Sequence, residues 1–253
     1  MGKKILSALC LFLITAGQAW AEPGMEFEGR YWMPGLTSSV KSTAAGVGTN
    51  IDLRKDLGVK DEIFPDLRLI AEGESSGMFR VAFNQFNLSG NRFIGQDIEF
   101  GGKTFTTSTR VKTDLDINYA RLGWAWKSNL MDTVKIGPLV EIKTIWANAS
   151  LKAPEALPSP VKESQKFAFG VPTLGLVMEI NPLEMVSLFA EASGLPLGNL
   201  GYFLDSEGGI KIVPIKYLSI VGGYRIFDIK IEKDSDFARL KMHGPFAGAT
   251  LRF

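Results

Sequence analysis

The last eight residues constrain the fold of this chain more than any other segment. Phe-Ala-Gly-Ala-Thr-Leu-Arg-Phe, residues 246–253, places Ala247, Ala249, Leu251 and Phe253 on one face of an extended strand and Phe246, Gly248, Thr250 and Arg252 on the other. Successive side chains of a strand point to opposite faces, so this terminal strand has an apolar face that something must cover. Either the core of a soluble β-sandwich or the hydrocarbon of a membrane could do so. A terminal aromatic ring also sits well where hydrocarbon meets water.

The N-terminus favours the membrane. Lys3 and Lys4 precede a short apolar run from Ile5 to Ala16, and Ala19-Trp20-Ala21 supplies a small-x-small cleavage motif. This is the layout of an export signal, which divides the chain into a signal peptide, residues 1–21, and a mature domain, residues 22–253. The apolar run is shorter than the ~20 residues a spanning helix needs. Cys10 follows Leu9, where a lipoprotein signal would need a small residue, so no lipid anchor is expected. Cys10 is also the only cysteine, and its removal leaves a mature protein without disulfide or thiol chemistry. Basic and acidic residues number 28 and 27, and this balance argues against a nucleic-acid partner. Beyond the signal no apolar run reaches 18 residues. A membrane location would therefore require strands.

Strand patterns fill the mature chain. In residues 25–33, Met25, Phe27, Tyr31 and Met33 share one face while Glu26, Glu28 and Arg30 share the other. The same period of two marks 66–74, the run from Met78, 133–146, 166–180, 185–194, 201–213 and 217–231. A hairpin is expected at Gly101-Gly102, with a return strand over about 103–127. In that strand the apolar parity changes near Tyr119-Ala120, as a bulge or an exit from the apolar environment would make it do. Pro182–Leu188 matches Pro214–Ile220 in residue type, each copy setting a proline turn before a strand. A repeated hairpin is what an up-and-down meander or barrel looks like in sequence.

Connections alternate in length. Those at 75–77, 128–132, 181–184 and 213–216 are short, whereas 34–64, 99–104, 152–165, 195–200 and 232–236 are longer or lie at hairpin tips. Together with the export signal and the terminal Phe, this asymmetry resembles Gram-negative outer-membrane β-barrel proteins. The resemblance is architectural and covers the mature chain. It implies an all-β, closed, antiparallel, up-and-down transmembrane β-barrel of about ten strands, or eight if the first hairpin or the weak strand at 201–213 does not form. It further implies an outer-membrane location, contact with membrane lipid, and assembly by the barrel-assembly machinery and periplasmic chaperones. Ala249, Leu251 and Phe253 would be the assembly signal. Trp32 and Trp146 at loop ends, and Trp124 and Trp126 at a turn end, are expected in aromatic girdles. The competing secreted β-sandwich binding protein would bury the apolar faces and leave the charged ones in water.

With the apolar faces outward, charges of both signs enter the lumen. Glu26, Glu28 and Arg30 come from the first strand, and Arg68, Glu72 and Arg80 from the next two. Arg121, Lys135, Glu141 and Lys143 come from the middle of the chain, and Glu179, Glu191 and Arg225 from later strands. Barrels of about eight strands are filled by their own side chains, and about sixteen leave a channel. Ten strands are therefore expected to hold a charge network, with a narrow path for ions or small solutes as the open variant.

No catalytic, cofactor or metal site is expected. Omptin-type proteases and lipid-A deacylase barrels use an essential histidine with acidic or Ser partners. The single histidine here, His243, has no Asp immediately before it and no Ser two residues after it. Asp114 and Asp116 share a face without a neighbouring base, and Asp52, Asp56, Asp61 and Glu62 lack the spacing of a calcium loop. The expected function is a structural or passively conducting small barrel, with an outer-membrane hydrolase as the rival.

Overall fold

The computed structural model describes residues 24–44, 47–73, 76–233 and 236–253; the expected signal peptide, residues 1–21, lies outside them. Antiparallel strands dominate the fold. They are β1 (Met25–Trp32), β2 (Gly35–Ala44), β3 (Val47–Ile51), β4 (Phe64–Glu72), β5 (Gly77–Phe93), β6 (Ile98–Phe100), β7 (Lys103–Phe105), β8 (Arg110–Trp126), β9 (Ser128–Met131), β10 (Val134–Ala153), β11 (Val161–Leu183), β12 (Val186–Pro196), β13 (Gly201–Ile215), β14 (Leu218–Lys233) and β15 (Asp236–Arg252). Ten of them form the wall of a closed barrel. Its order is β1-β4-β5-β8-β10-β11-β12-β13-β14-β15, and β15 pairs back onto β1. Closure satisfies the backbone of both terminal strands, which an open sheet would leave as edges.

The alternating residues explain the wall. Phe79, Val81, Phe83, Leu122, Trp124, Val140 and Ile142 stand exposed on its outer surface, while Arg80, Arg121, Glu141 and Lys143 between them are buried within. A tilted spanning strand needs ~9–11 residues. β5, β8, β10 and β11 have 17, 17, 20 and 23, so they project past the apolar belt at the loop end. There Gln85, Asn118 and Asn148 replace the outward apolar residues.

Four sequence expectations are refined. The segment 34–64 is more than a polar loop: β2 continues β1 against β15 in unchanged register, and β3 folds back on β2. Gly244-Pro245, opposite this junction, reads in the sequence as a kink or bulge of the last strand, but β15 keeps its register there. A Cβ at Gly244 would clash with the Met33 carbonyl oxygen, so the close strand approach there requires glycine. The parity change near Tyr119 is not a bulge, since β8 keeps register with both neighbours and buries Val111, Thr113, Ile117, Tyr119, Arg121 and Ala125 alike. What changes is the interior, from charged to apolar. The Gly101-Gly102 hairpin forms, with positive φ at both residues (58° and 77°), but it joins the short β6 and β7, and the return strand starts only at Arg110.

The two proline repeats mark equivalent turns. Leu183 pairs with Val186 and Ile215 with Leu218, and in both hairpins the register shifts at the same step before the turn.

Candidate functional site: a lumen in layers

The inward faces of the strands build three layers. The middle one is ionic. Arg30, Arg68, Arg80, Arg121, Lys143 and Arg225 interleave with Glu28, Asp66, Glu141, Glu191, Asp205 and Glu207, six cations against six carboxylates in one connected network. Arg225 is completely buried and forks onto Asp205 at 3.0 and 2.9 Å, with Asn84 Oδ1 at 3.3 Å. Glu207 accepts from both terminal nitrogens of Arg30 at 3.0 Å and from those of Arg68 at 2.8 and 2.5 Å. Asp66 contacts Arg30, Arg68, Arg121 and Arg225. Arg80 bridges Glu141 at 2.7 Å and Glu191 at 2.6 Å. Lys143 donates to Ser193, which donates to Glu141. Desolvated charges are tolerated only when paired and hydrogen-bonded, and each of these groups has an opposite charge in the bore. Of the network's buried guanidinium nitrogens among the described residues, only Arg80 Nε and Arg121 Nε lack a hydrogen-bond partner.

The loop-end layer is apolar. Trp32, Phe64, Phe86, Tyr119, Phe203 and Phe227 meet with ring centroids 5.1–6.4 Å apart. Leu57 and Val59 from the segment after β3, and Ile94, Ile98 and Phe105 from the segment around β6–β7, are buried in the same cluster. The two layers meet through rings and cations. Arg225 lies 4.9 Å over Trp32, Arg30 lies 4.2 Å over Phe246, and Lys143 lies 5.2 Å over Phe203. Tyr119 joins them directly by donating its hydroxyl to Asp205 at 2.9 Å.

The turn-end layer is a vestibule of about 370 Å³. Glu26, Glu72, Lys127, Lys135, Glu179 and Lys211 line it. Glu26 pairs with Lys211 and Arg252, and Lys127 sits between Glu72 and Glu179 at 3.3 and 2.7 Å.

All thirteen charged residues singled out in the sequence line this interior. The sequence reading missed Asp66, Asp205 and Glu207, the anions at the network's centre. The signal was present: Asp66 shares parity with Arg68, and Asp205 and Glu207 alternate with outward Leu204 and Ser206. Trp32 requires a correction. It is fully buried and donates its indole N–H to the Gly244 carbonyl at 3.1 Å. Its parity is that of Glu28 and Arg30, so it belongs to the lumen, whereas Trp124, Trp126 and Trp146 stand on the outer surface.

Most of the remaining candidates have ordinary partners. His243 lies on the outer side of β15, and its Nδ1 is 2.7 Å from the Tyr224 hydroxyl. Asp52 accepts the Arg54 and Lys55 amides, Asp56 accepts the Asp52 amide, and Asp61 accepts the Leu36 amide and pairs with Arg54. Asp114 pairs with Lys152. Among the described residues no cluster of His, Cys, Asp and Glu could hold a metal ion. Ala249 and Leu251 face outward on β15, and exposed Phe253 donates its amide to the Met25 carbonyl at 2.9 Å.

No protein-family model matches this chain, and no curated protein matches it in sequence. Solved structures do resemble it. The outer membrane protease OmpT from Escherichia coli matches with a TM-score of 0.58 at 8% identity, over 93% of this chain and 99% of that one. The translocator domain of autotransporter NalP from Neisseria meningitidis gives 0.49 at 10% identity, covering 99% and 96%. The attachment invasion locus protein Ail of Yersinia pestis gives 0.37 at 14% identity, covering 92% and 100%. At such identities the likeness is one of fold: the chain has the closed, antiparallel, ten-stranded architecture of outer-membrane β-barrels.

Proposed function

We propose that this is an outer-membrane barrel with a lumen closed to diffusion, a structural element that presents its loop-end hairpins outside the cell and its vestibule to the periplasm. The observation that carries this reading is the apolar cluster from Trp32 to Phe227, seated directly on the ionic layer, with Leu57 and Phe105 folded in from the loop end. A solute leaving the vestibule meets first a network of paired charges and then a packed aromatic layer. Short turns face the periplasm in barrels of this kind, which sets the orientation. Lipid would cover the outward belt of Leu122, Val140, Ile142 and Leu176. The position of His243, outside the barrel and bonded to Tyr224, supports a non-enzymatic role.

Planar-bilayer recording tests the closed lumen. The folded protein should insert without steady conductance; reproducible ohmic steps would overturn the reading. Assembly is a separate part of the proposal. With Phe253 at the outer edge of the closing strand, deleting it should lower the folded, heat-modifiable fraction in cells, while folding from denaturant into detergent stays near the parent's level.

A further inference from the structure

The barrel wall is notched between β11 and β14. β11 pairs with β12 only as far as Leu174 opposite Gly194, and β12 turns into β13 through Leu197–Leu200. β11 itself runs on to Val161, so among the described residues no strand pairs with its β12-side edge over 161–173. Pro172 occupies that edge and has no N–H to leave unpaired. Above the tip opens a cavity of about 220 Å³, lined by Phe169, Val171, Leu200, Phe203 and Ile229. Among its described lining residues only Glu232 is charged, and Lys230 engages it at 2.6 Å.

The height of this slot indicates its occupant. Trp146 of the outer girdle is opposite Ala168, and Leu174 and Leu176 of the belt lie just below. The slot is thus the inward continuation of the apolar belt at its loop-end boundary. On the outer surface, Lys166 lies one pleat above Ala168 on one side, and Lys230 stands opposite Tyr202 on the other. An apolar recess open to hydrocarbon, with an ammonium group at headgroup level on each side, matches an anionic lipid.

We infer that the slot takes one alkyl chain of an outer-leaflet lipid, whose anionic headgroup is held by Lys166 and by Lys230, which exchanges its half-exposed Glu232 partner for the lipid. This rests on the membrane placement proposed above but is independent of whether the lumen conducts. The chain's end would lie against Phe203, whose ring also packs on Tyr119 and Phe227 of the apolar layer. A lipid seated there fills a gap that the short tip leaves open.

Phosphatidylglycerol vesicles carrying a diazirine on the acyl chain test the inference, with crosslinks mapped by mass spectrometry. Labels are expected at Phe169, Val171, Leu200 or Ile229 as well as at the belt residues Leu176 and Ile220. Val171→Trp should reduce labelling at Ile229 at least fivefold and leave Leu176 unchanged; Leu200→Trp, on the exposed tip, serves if the first variant does not fold. Labelling of the belt alone, or slot labelling that survives both substitutions, overturns the inference. Absence of labels at Leu176 and Ile220 too would instead overturn the membrane placement. Replacing both Lys166 and Lys230 with Ala should lower slot labelling from phosphatidylglycerol but not from phosphatidylcholine, and an equal loss with both lipids would remove the headgroup's role.

Discussion

The ionic and apolar layers of the lumen fill the same bore by opposite means, often with neighbours on one strand face. Arg30 and Trp32, Tyr119 and Arg121, Phe203 and Asp205, and Arg225 and Phe227 are each separated by a single outward residue. In the ionic layer every group depends on several others, so its stability is a property of the network. In the apolar layer each ring contributes its own contact area, and a deletion leaves a hole. The outer surface follows its surroundings, apolar along the belt and polar at Gln85 and Asn118 beyond it. The inner surface is free to change character within one pleat.

Removing one charge from the centre should break this comparison most severely. Asp66→Ala leaves four arginines short of a carboxylate, and breaking a buried ion pair from one side costs about 3–5 kcal/mol. A loss of about 5 kcal/mol is expected in guanidinium unfolding of the micelle-bound barrel. A loss under about 1 kcal/mol would show that the arginines re-pair elsewhere and that the layer is not one network.

Phe86→Ala tests the other layer. Phe86 is fully buried and touches Trp32, Phe64, Tyr119 and Phe227, and truncating a core Phe costs about 3 kcal/mol. The two substitutions should also differ in kind. Phe86→Ala opens a hole in the seal and should give small conductance steps in planar bilayers. Asp66→Ala keeps the rings in place and should stay silent. Conductance from Asp66→Ala alone would move the seal into the ionic layer.

Trp32 lies on the boundary between the layers, so its replacement should be milder. Trp32→Phe keeps a ring beneath Arg225 but removes the hydrogen bond to Gly244, a loss of about 1 kcal/mol. An unchanged unfolding midpoint would mean that the Gly244 carbonyl finds another donor.

The same contrast decides how much could be read from the sequence. The ten-strand count and the two unequal ends were legible because Met25 to Met33, Val134 to Ile142 and Leu174 to Ile180 alternate strictly, and because Pro182 and Pro214 mark equal turns. The apolar layer was not. Where Ile117 and Tyr119 turn inward opposite polar outward neighbours, alternation reverses its meaning, and the reversal looks like a bulge. Trp32 was misplaced for the same reason, since a buried Trp and a girdle Trp differ only in parity. The network's partners were hidden by distance along the chain: Arg30 meets Glu207 across 177 positions, and only the closed bore brings them together.

The smallest effect lies beyond both layers, where the β6–β7 hairpin rests on β11. Ile98 and Phe105 anchor it in the apolar cluster, and outside them Lys103 donates to the Lys162 carbonyl at 2.8 Å and pairs with Glu163 at 3.2 Å. Hydrogen bonding from Lys103 holds the Glu163 carboxyl below its ordinary pKa. A depressed folded-state pKa contributes stability above the unfolded value, about 4.3 for Glu, and that contribution is lost as pH falls through the lowered one. The pair is exposed, so the change should be local. Protection of the residue 103–105 amides, corrected for intrinsic exchange, should fall modestly below about pH 4 while the barrel strands keep theirs. In Lys103→Ala the protection should already be reduced at neutral pH and should lose this dependence on acid. If both proteins lose protection equally on acidification, the apolar anchors alone hold the hairpin and the ion pair contributes nothing to its position.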